Sequence, residues 1–294
     1  MIIVKLQGGL GNQMFQYAFG LSLSHKLNCR LYLDNAVFGQ TDHDMALRNY
    51  ELDIFSKDIE LADEKQIGKF LRPGNLQRLL NKTGINNTTV YREKSLRFHS
   101  EVFTVKPPAY FEGFWQTEKY FNAERVRQAF RFNRPLNHQS AEIATEISQQ
   151  VNPVSMHIRR GDYVSSKTTN ELHGLCSINY YKKATTLINE QLADPHFYIF
   201  SDDPEWVGQN LLPCLKNATL VHHNPGADSW QDMALMNKCK HHIIANSSFS
   251  WWGAWLSAGN EKTVIAPKNW FAKPSAYFDD ADIVPSNWIK LPND

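Results

Sequence analysis

Apolar residues in this chain gather into short unbroken runs, and between the runs they recur every three or four positions. Ile2–Leu6, interrupted only by Lys5, has strand length. Over Gln13–Leu27 the residues Met14, Tyr17, Ala18, Leu21 and Leu27 return roughly to one helical face, and Arg30–Leu33 is strand-like again. A strand, loop, helix and strand in that order favour parallel pairing, because parallel neighbours need a crossover connection. Residues 35–108 are less regular; helices are predicted near 63–72 and 75–82, on either side of Pro73-Gly74. Ala109–Trp115 reads as a strand and Thr117–Phe130 as a helix, before a break at Asn133-Arg134-Pro135 and a helix over 138–150.

Beyond the break the alternation is cleaner. Strands are predicted at Val154–Ile158, Phe197–Phe200, Thr219–Val221, His242–Ala245 and Thr263–Ala266, with helices at Asn179–Leu192, 203–212, 228–238 and 248–258. The pattern predicts two open α/β halves in tandem, residues 1–135 and 136–294. In such sheets ligands bind at the carboxyl ends of the strands, so chemistry is expected in the residues just after each strand.

Composition narrows the function classes. A chain of 294 residues suits two domains, and 42% hydrophobic with 21% charged residues is the make-up of a soluble globular protein. A net charge of +1 leaves no basic excess for a nucleic-acid backbone. Cys29, Cys176, Cys214 and Cys239 are scattered, without zinc spacing, and read as free thiols of a reducing compartment. No apolar run has the length of a membrane span or a signal peptide, which predicts a cytoplasmic protein without stable membrane insertion, at most peripheral to the inner membrane.

Four stretches follow predicted strands. Gly8-Gly9-Leu10-Gly11-Asn12-Gln13 places bare backbone before a helix, suited either to a tight turn or to an anion. With Asp34 it begins like a dinucleotide fingerprint, but Met14 stands at the third glycine position, and no Gly-Lys-Ser/Thr follows. His157-Ile158-Arg159-Arg160-Gly161-Asp162-Tyr163 sets two arginines at a strand end; they need carboxylates or a phosphate, and Asp162 is a candidate partner. In Ser201-Asp202-Asp203-Pro204, Asp203 suits a helix cap and leaves Asp202 for another task, such as accepting two N–H groups of a base. Asn246-Ser247-Ser248-Phe249 opens a helix rich in tryptophan, where Ser247 or Ser248 suits the cap and the hydroxyls suit a phosphate, while Trp251, Trp252 and Trp255 suit a core. No metal-binding cluster is legible: the pairs His222-His223 and His241-His242 are adjacent, and neighbours in a strand point to opposite faces.

Taken together, GGLGNQMFQYA, HIRRGDY, HGLCSINYYKKA, FSDDPEW and NSSFSWWGAWL resemble the bacterial α-1,2-fucosyltransferases of glycosyltransferase family 11, in the right order from residue 2 to about 270. The resemblance implies a GT-B fold: two Rossmann-like α/β domains facing a central cleft, the second holding GDP-fucose and the first facing the acceptor. It implies inverting, metal-independent transfer of L-fucose from GDP-β-L-fucose to the 2-hydroxyl of a terminal galactose, with no cofactor. Arg159 would then bind the diphosphate, supported by Arg160 and Asp162. His157 and Asp202 match positions that meet guanine. Asn246, Ser247, Ser248 and Phe249 would line the phosphate and nucleoside, and Gly11, Asn12 and Gln13 would reach in from the first domain. Mammalian relatives carry a membrane anchor that this chain does not show, which suggests a bacterial enzyme acting on O-antigen or other surface-polysaccharide precursors. The general base is not identifiable. Three other readings stay open: a different fucosyl linkage, an NAD-dependent oxidoreductase using Gly9, Gly11 and Asp34, and a noncatalytic glycan-binding protein using its tryptophans.

Overall fold

The apolar runs become central strands in two sheets. The computed structural model describes residues 1–39, 48–56, 58–72, 74, 88–259 and 261–294, apart from the side chains of Asp162, Ser165 and Thr168. The helix predicted near 75–82 lies outside the described residues. Two compact units divide the chain: Met1–Asn133 with Ala281–Ile283, and Arg134–Asp280 with Val284–Asp294.

The first unit has strands β1 (Ile2–Lys5), β2 (Leu31–Asp34), β3 (Thr89–Arg92) and β4 (Ala109–Glu112), all parallel, in the order β2-β1-β4-β3. Helices α1 (Leu10–Lys26) and α2 (Glu64–Leu71) join them, and α3 (Ala123–Ala129) follows β4. Ile2, Ile3 and Val4 are wholly buried, as expected of a parallel strand covered on both faces. β4 ends earlier than its apolar run. The buried Glu93 carboxylate accepts the N–H groups of Phe114 (2.7 Å) and Trp115 (3.0 Å), and Trp115 takes a left-handed φ of +58°. Its ring stacks on Phe19 at 4.0 Å inside the core. The helix predicted over Thr117–Phe130 is interrupted at Phe121-Asn122, because Asn122 turns its side chain to cap α3 through the Arg125 N–H. In the short return to this unit, Asp282 accepts from the Phe98 N–H and the Lys119 ammonium.

In chain order the second unit comprises α4 (His138–Gln149), β5 (Pro153–Ile158), α5 (Gly161–Ser165), α6 (Lys167–His173), α7 (Ile178–Gln191), β6 (His196–Ser201), α8 (Pro204–Asn210), β7 (Ala218–Val221), α9 (Trp230–Lys238), β8 (His241–Ile243), α10 (Ser248–Leu256), β9 (Val264–Pro267) and β10 (Ile289–Leu291). Its six strands are parallel, in the order β10-β9-β8-β5-β6-β7. Counted from β5 this is the 3-2-1-4-5-6 order of a doubly wound sheet, which reverses between β5 and β8. Tyr180, Tyr181 and Ile188 of α7 pack on Val154, Met156 and Ile158. Trp251, Trp252 and Trp255 are core residues, and Gly253 lets α10 approach α9, since a Cβ there would lie 2.9 Å from that of Met236. The α/β class with parallel sheets predicted above is the fold observed. No described helix is long and apolar enough to cross a membrane.

Candidate active site

Where the strand order reverses, the chain leaves β5 and β8 in opposite directions and opens a crevice at their carboxyl ends. Three of the four motifs converge there: the residues after β5, after its neighbour β6 and after β8.

His157, at the end of β5, is buried and its ring lies 5.8 Å from that of Phe249. This contact sets the start of α10 beside the end of β5. Burial pushes the His157 pKa down to about 4, against the upward pull of Asp202 and with a smaller downward push from Arg159. The ring is therefore neutral near pH 7, and its buried Nδ1 has no hydrogen-bond partner in the protein.

Each arginine meets a carboxylate and an aromatic ring. Arg159 Nη1 is 2.8 Å from Asp202 Oδ2, with the two side chains 25% and 26% exposed, and its guanidinium lies 5.6 Å from the Tyr163 ring. Arg160 Nε is 2.9 Å from Asp203 Oδ2, and its guanidinium lies 4.2 Å from the Trp206 ring. The Arg160 N–H also donates to Asp202 Oδ1 at 2.8 Å. Gly161 makes that approach possible, because a Cβ there would stand 2.7 Å from Asp202 Oδ2. Such partly exposed pairs contribute only about 0–1 kcal/mol each, so their main effect is to aim the guanidinium groups. The arginines' partners are thus Asp202 and Asp203; the side chain of the other candidate, Asp162, lies outside the described residues. Asp203 also caps α8, accepting the Trp206 N–H at 3.1 Å on its other oxygen.

The opening of α10 is polar and lightly capped. Ser247 occupies the N-cap position but its hydroxyl does not cap the helix, and the first turn contains no acid. Those N–H groups and the helix dipole suit an anion. Asn246 stands one residue before the N-cap. It is buried, and Nδ2 donates to the carbonyls of His173 (2.8 Å) and Trp270 (3.2 Å), while its backbone carbonyl accepts the Tyr163 hydroxyl (3.2 Å). Its amide fastens the end of α6 and the Trp270 loop to the crevice.

The opening glycine motif lies after β1 in the first unit. Gly8 has φ +78°, and a Cβ there would stand 2.4 Å from Asn12 Nδ2, so the tight-turn reading accounts for it. Gly9 has no such demand, its nearest neighbour to an added Cβ being Arg48 at 3.8 Å. Gly11 lies in the first turn of α1 and is buried. Gln13 is fully buried: Nε2 donates to the carbonyls of Gly8 (3.0 Å) and Asn49 (2.8 Å), and Oε1 accepts the Glu51 N–H (3.0 Å). Asn12 Oδ1 accepts from Gln116 Nε2 at 2.7 Å. Asp34, the acid a dinucleotide site needs, is buried and accepts from the Tyr110 hydroxyl (2.5 Å) and the Ala36 N–H (2.9 Å), which removes the support for that reading. Among the described residues no group of three His, Cys, Asp or Glu side chains could hold a metal ion.

Sequence reasoning missed Tyr163, Trp206 and Gln116. Trp206 was within reach of it, since a cap at Asp203 fixes the third helical residue beside that carboxylate.

A doubly wound sheet thus gathers two arginines, a neutral histidine and a lightly capped helix start in its crevice, groups whose chemistry suits an anion. Comparison with known proteins gives the class: residues 1–292 match the model for Glycosyl transferase family 11, and the chain belongs to that family and is a glycosyltransferase. It is 34% identical over 295 residues to an alpha-1,2-colitosyltransferase of Escherichia coli, spanning 99% of each chain. It is 31% identical to the O-antigen biosynthesis glycosyltransferase WbnK of Escherichia coli, over 97% of this chain and 99% of that one. A 143-residue stretch is 23% identical to human galactoside alpha-(1,2)-fucosyltransferase 1, covering 47% of this chain and 39% of the human one.

Proposed function

We propose that the protein transfers L-fucose from GDP-β-L-fucose to the 2-hydroxyl of a terminal galactose on an O-antigen or related surface-polysaccharide precursor. The arginine pair in the β5 crevice of a family 11 chain carries this reading. Arg159 exchanges Asp202 for the diphosphate. As the bond between the anomeric carbon and the β-phosphate oxygen breaks, the electron pair stays on GDP, and a guanidinium fork meets that growing charge better than it meets the ground state. The galactose hydroxyl attacks from the opposite face with inversion, and its proton is released to water, so that GDP, the fucoside and H+ are the products. Arg160 and Asp162 support the diphosphate site. His157 and Asp202 serve the guanine, and Ser247, Ser248 and Phe249 line the phosphate side. The first unit carries the acceptor site, and no metal takes part.

A second reading rests on the 34% identical relative: the donor sugar is colitose, which is L-fucose without its 3-hydroxyl. The purified protein is incubated with GDP-fucose or GDP-colitose and a panel of β-galactosides, with EDTA throughout, and GDP release is followed. Release from GDP-fucose that needs a galactose 2-hydroxyl is the expected result. Release from GDP-colitose alone selects the second reading. A requirement for added divalent metal, or no release from either donor, overturns the proposal.

A further inference from the structure

The two arginines are held differently. Arg160 closes a triangle with Asp203 and Trp206. One Asp203 oxygen takes the Arg160 Nε at 2.9 Å, the other takes the Trp206 N–H at 3.1 Å, and the indole lies 4.2 Å from the guanidinium. The backbone of Arg160 is fixed as well: its N–H is on Asp202 at 2.8 Å and its carbonyl accepts the Val164 N–H of α5 at 2.7 Å. Arg159 instead reaches Asp202 through a terminal nitrogen, beside a more distant ring at 5.6 Å. Asp202 is therefore common to both, gripped by the Arg160 backbone on one oxygen and by the Arg159 side chain on the other.

We propose that Asp203 and Trp206 are positioning residues for a nucleoside diphosphate: they lock Arg160, whose N–H keeps Asp202 in place while Arg159 moves from Asp202 to the diphosphate. Without the triangle, Arg160 is free to swing toward Asp202 or the ligand, and the post that holds Asp202 loosens. The inference rests on the reading that this crevice binds the donor nucleotide.

Three variants test it, read by calorimetric GDP affinity, donor and acceptor KM, kcat and Tm. Asp203→Asn keeps a good helix cap and removes the negative charge that pairs with Arg160. It is expected to weaken GDP binding and raise donor KM about tenfold, the size of one charge-assisted contact, with acceptor KM and Tm nearly unchanged. Trp206→Ala is expected to do the same, and Trp206→Phe to stay within about threefold of wild type, because a phenyl face still holds a cation. Equal GDP affinity in wild type and Asp203→Asn overturns the proposal. So does a Trp206→Phe variant as weak as Trp206→Ala, which shows that an aromatic face is not what holds Arg160. Should Trp206→Ala not fold, the other two variants decide. A wild-type protein with no affinity for GDP sinks the nucleotide reading itself, whereas wild-type binding that the variants share sinks only the positioning role.

Discussion

The loop after β1 and the loop after β5 hold the same position in two parallel sheets, and they are built in opposite ways. The first is neutral and turned inward. Gln13 is buried with its amide bonded to three backbone groups, and Gly8 bends left-handed against Asn12. The second is charged and turned partly outward, with Arg159 and Asp202 each about a quarter exposed. Both follow a strand and precede a helix, so position alone does not decide what their polar groups do. What separates them is whether the polar groups already have buried partners or hold exchangeable ones at the surface.

The largest expected effect tests the charged loop. Arg159→Ala should lower kcat about 100- to 1,000-fold, as for loss of a single donor to a developing anion. Arg159→Lys should be nearly as damaging, because a point charge lacks the fork. Near-wild-type turnover of the lysine form would remove the distinction from that side. Gln13→Ala tests the neutral loop: stranding three backbone groups should cost about 2–3 kcal/mol in urea unfolding. A Gln13→Ala protein of normal stability with lost turnover would mean that this loop, too, serves a ligand. Gly8→Ala and Gly9→Ala sharpen the same point. The left-handed Gly8 should cost about 1–2 kcal/mol, whereas Gly9→Ala should change stability by less than about 0.5 kcal/mol.

The last test is a slope with pH. The folded pKa of His157 is lowered to about 4 from 6.5, so below pH 6.5 the unfolded chain takes up a proton that the folded protein refuses. The stability conferred by its neutral form is complete above 6.5 and lost as pH falls toward 4, at no more than about 1.4 kcal/mol per pH unit. Unfolding titrations of wild type and His157→Gln should diverge in that window, and parallel curves would place the ring in solvent.

Periodicity located the strands to within a few residues because burial on both faces of a parallel sheet favours an unbroken apolar run, as in Phe197–Phe200. It missed β3 and β10, where exposed positions interrupt the run, and the short helices α5 and α6. Asp203 was legible as a cap because capping is local: Pro204 follows it and Trp206 lies three residues on. That its second oxygen holds Arg160, 43 residues away in sequence, was not.

The sequence by itself determined the α/β alternation, the strand-end position of each motif and the family, since these depend on residue types at short spacing. Only the tertiary structure decided that β8 lies beside β5, that Asp202 and Asp203 hold the two arginines, and that the amides of Gln13 and Asn246 hold backbone carbonyls. Crossover connections choose which strands become neighbours, and a side chain's partner is whichever group those connections bring within about 3 Å of it.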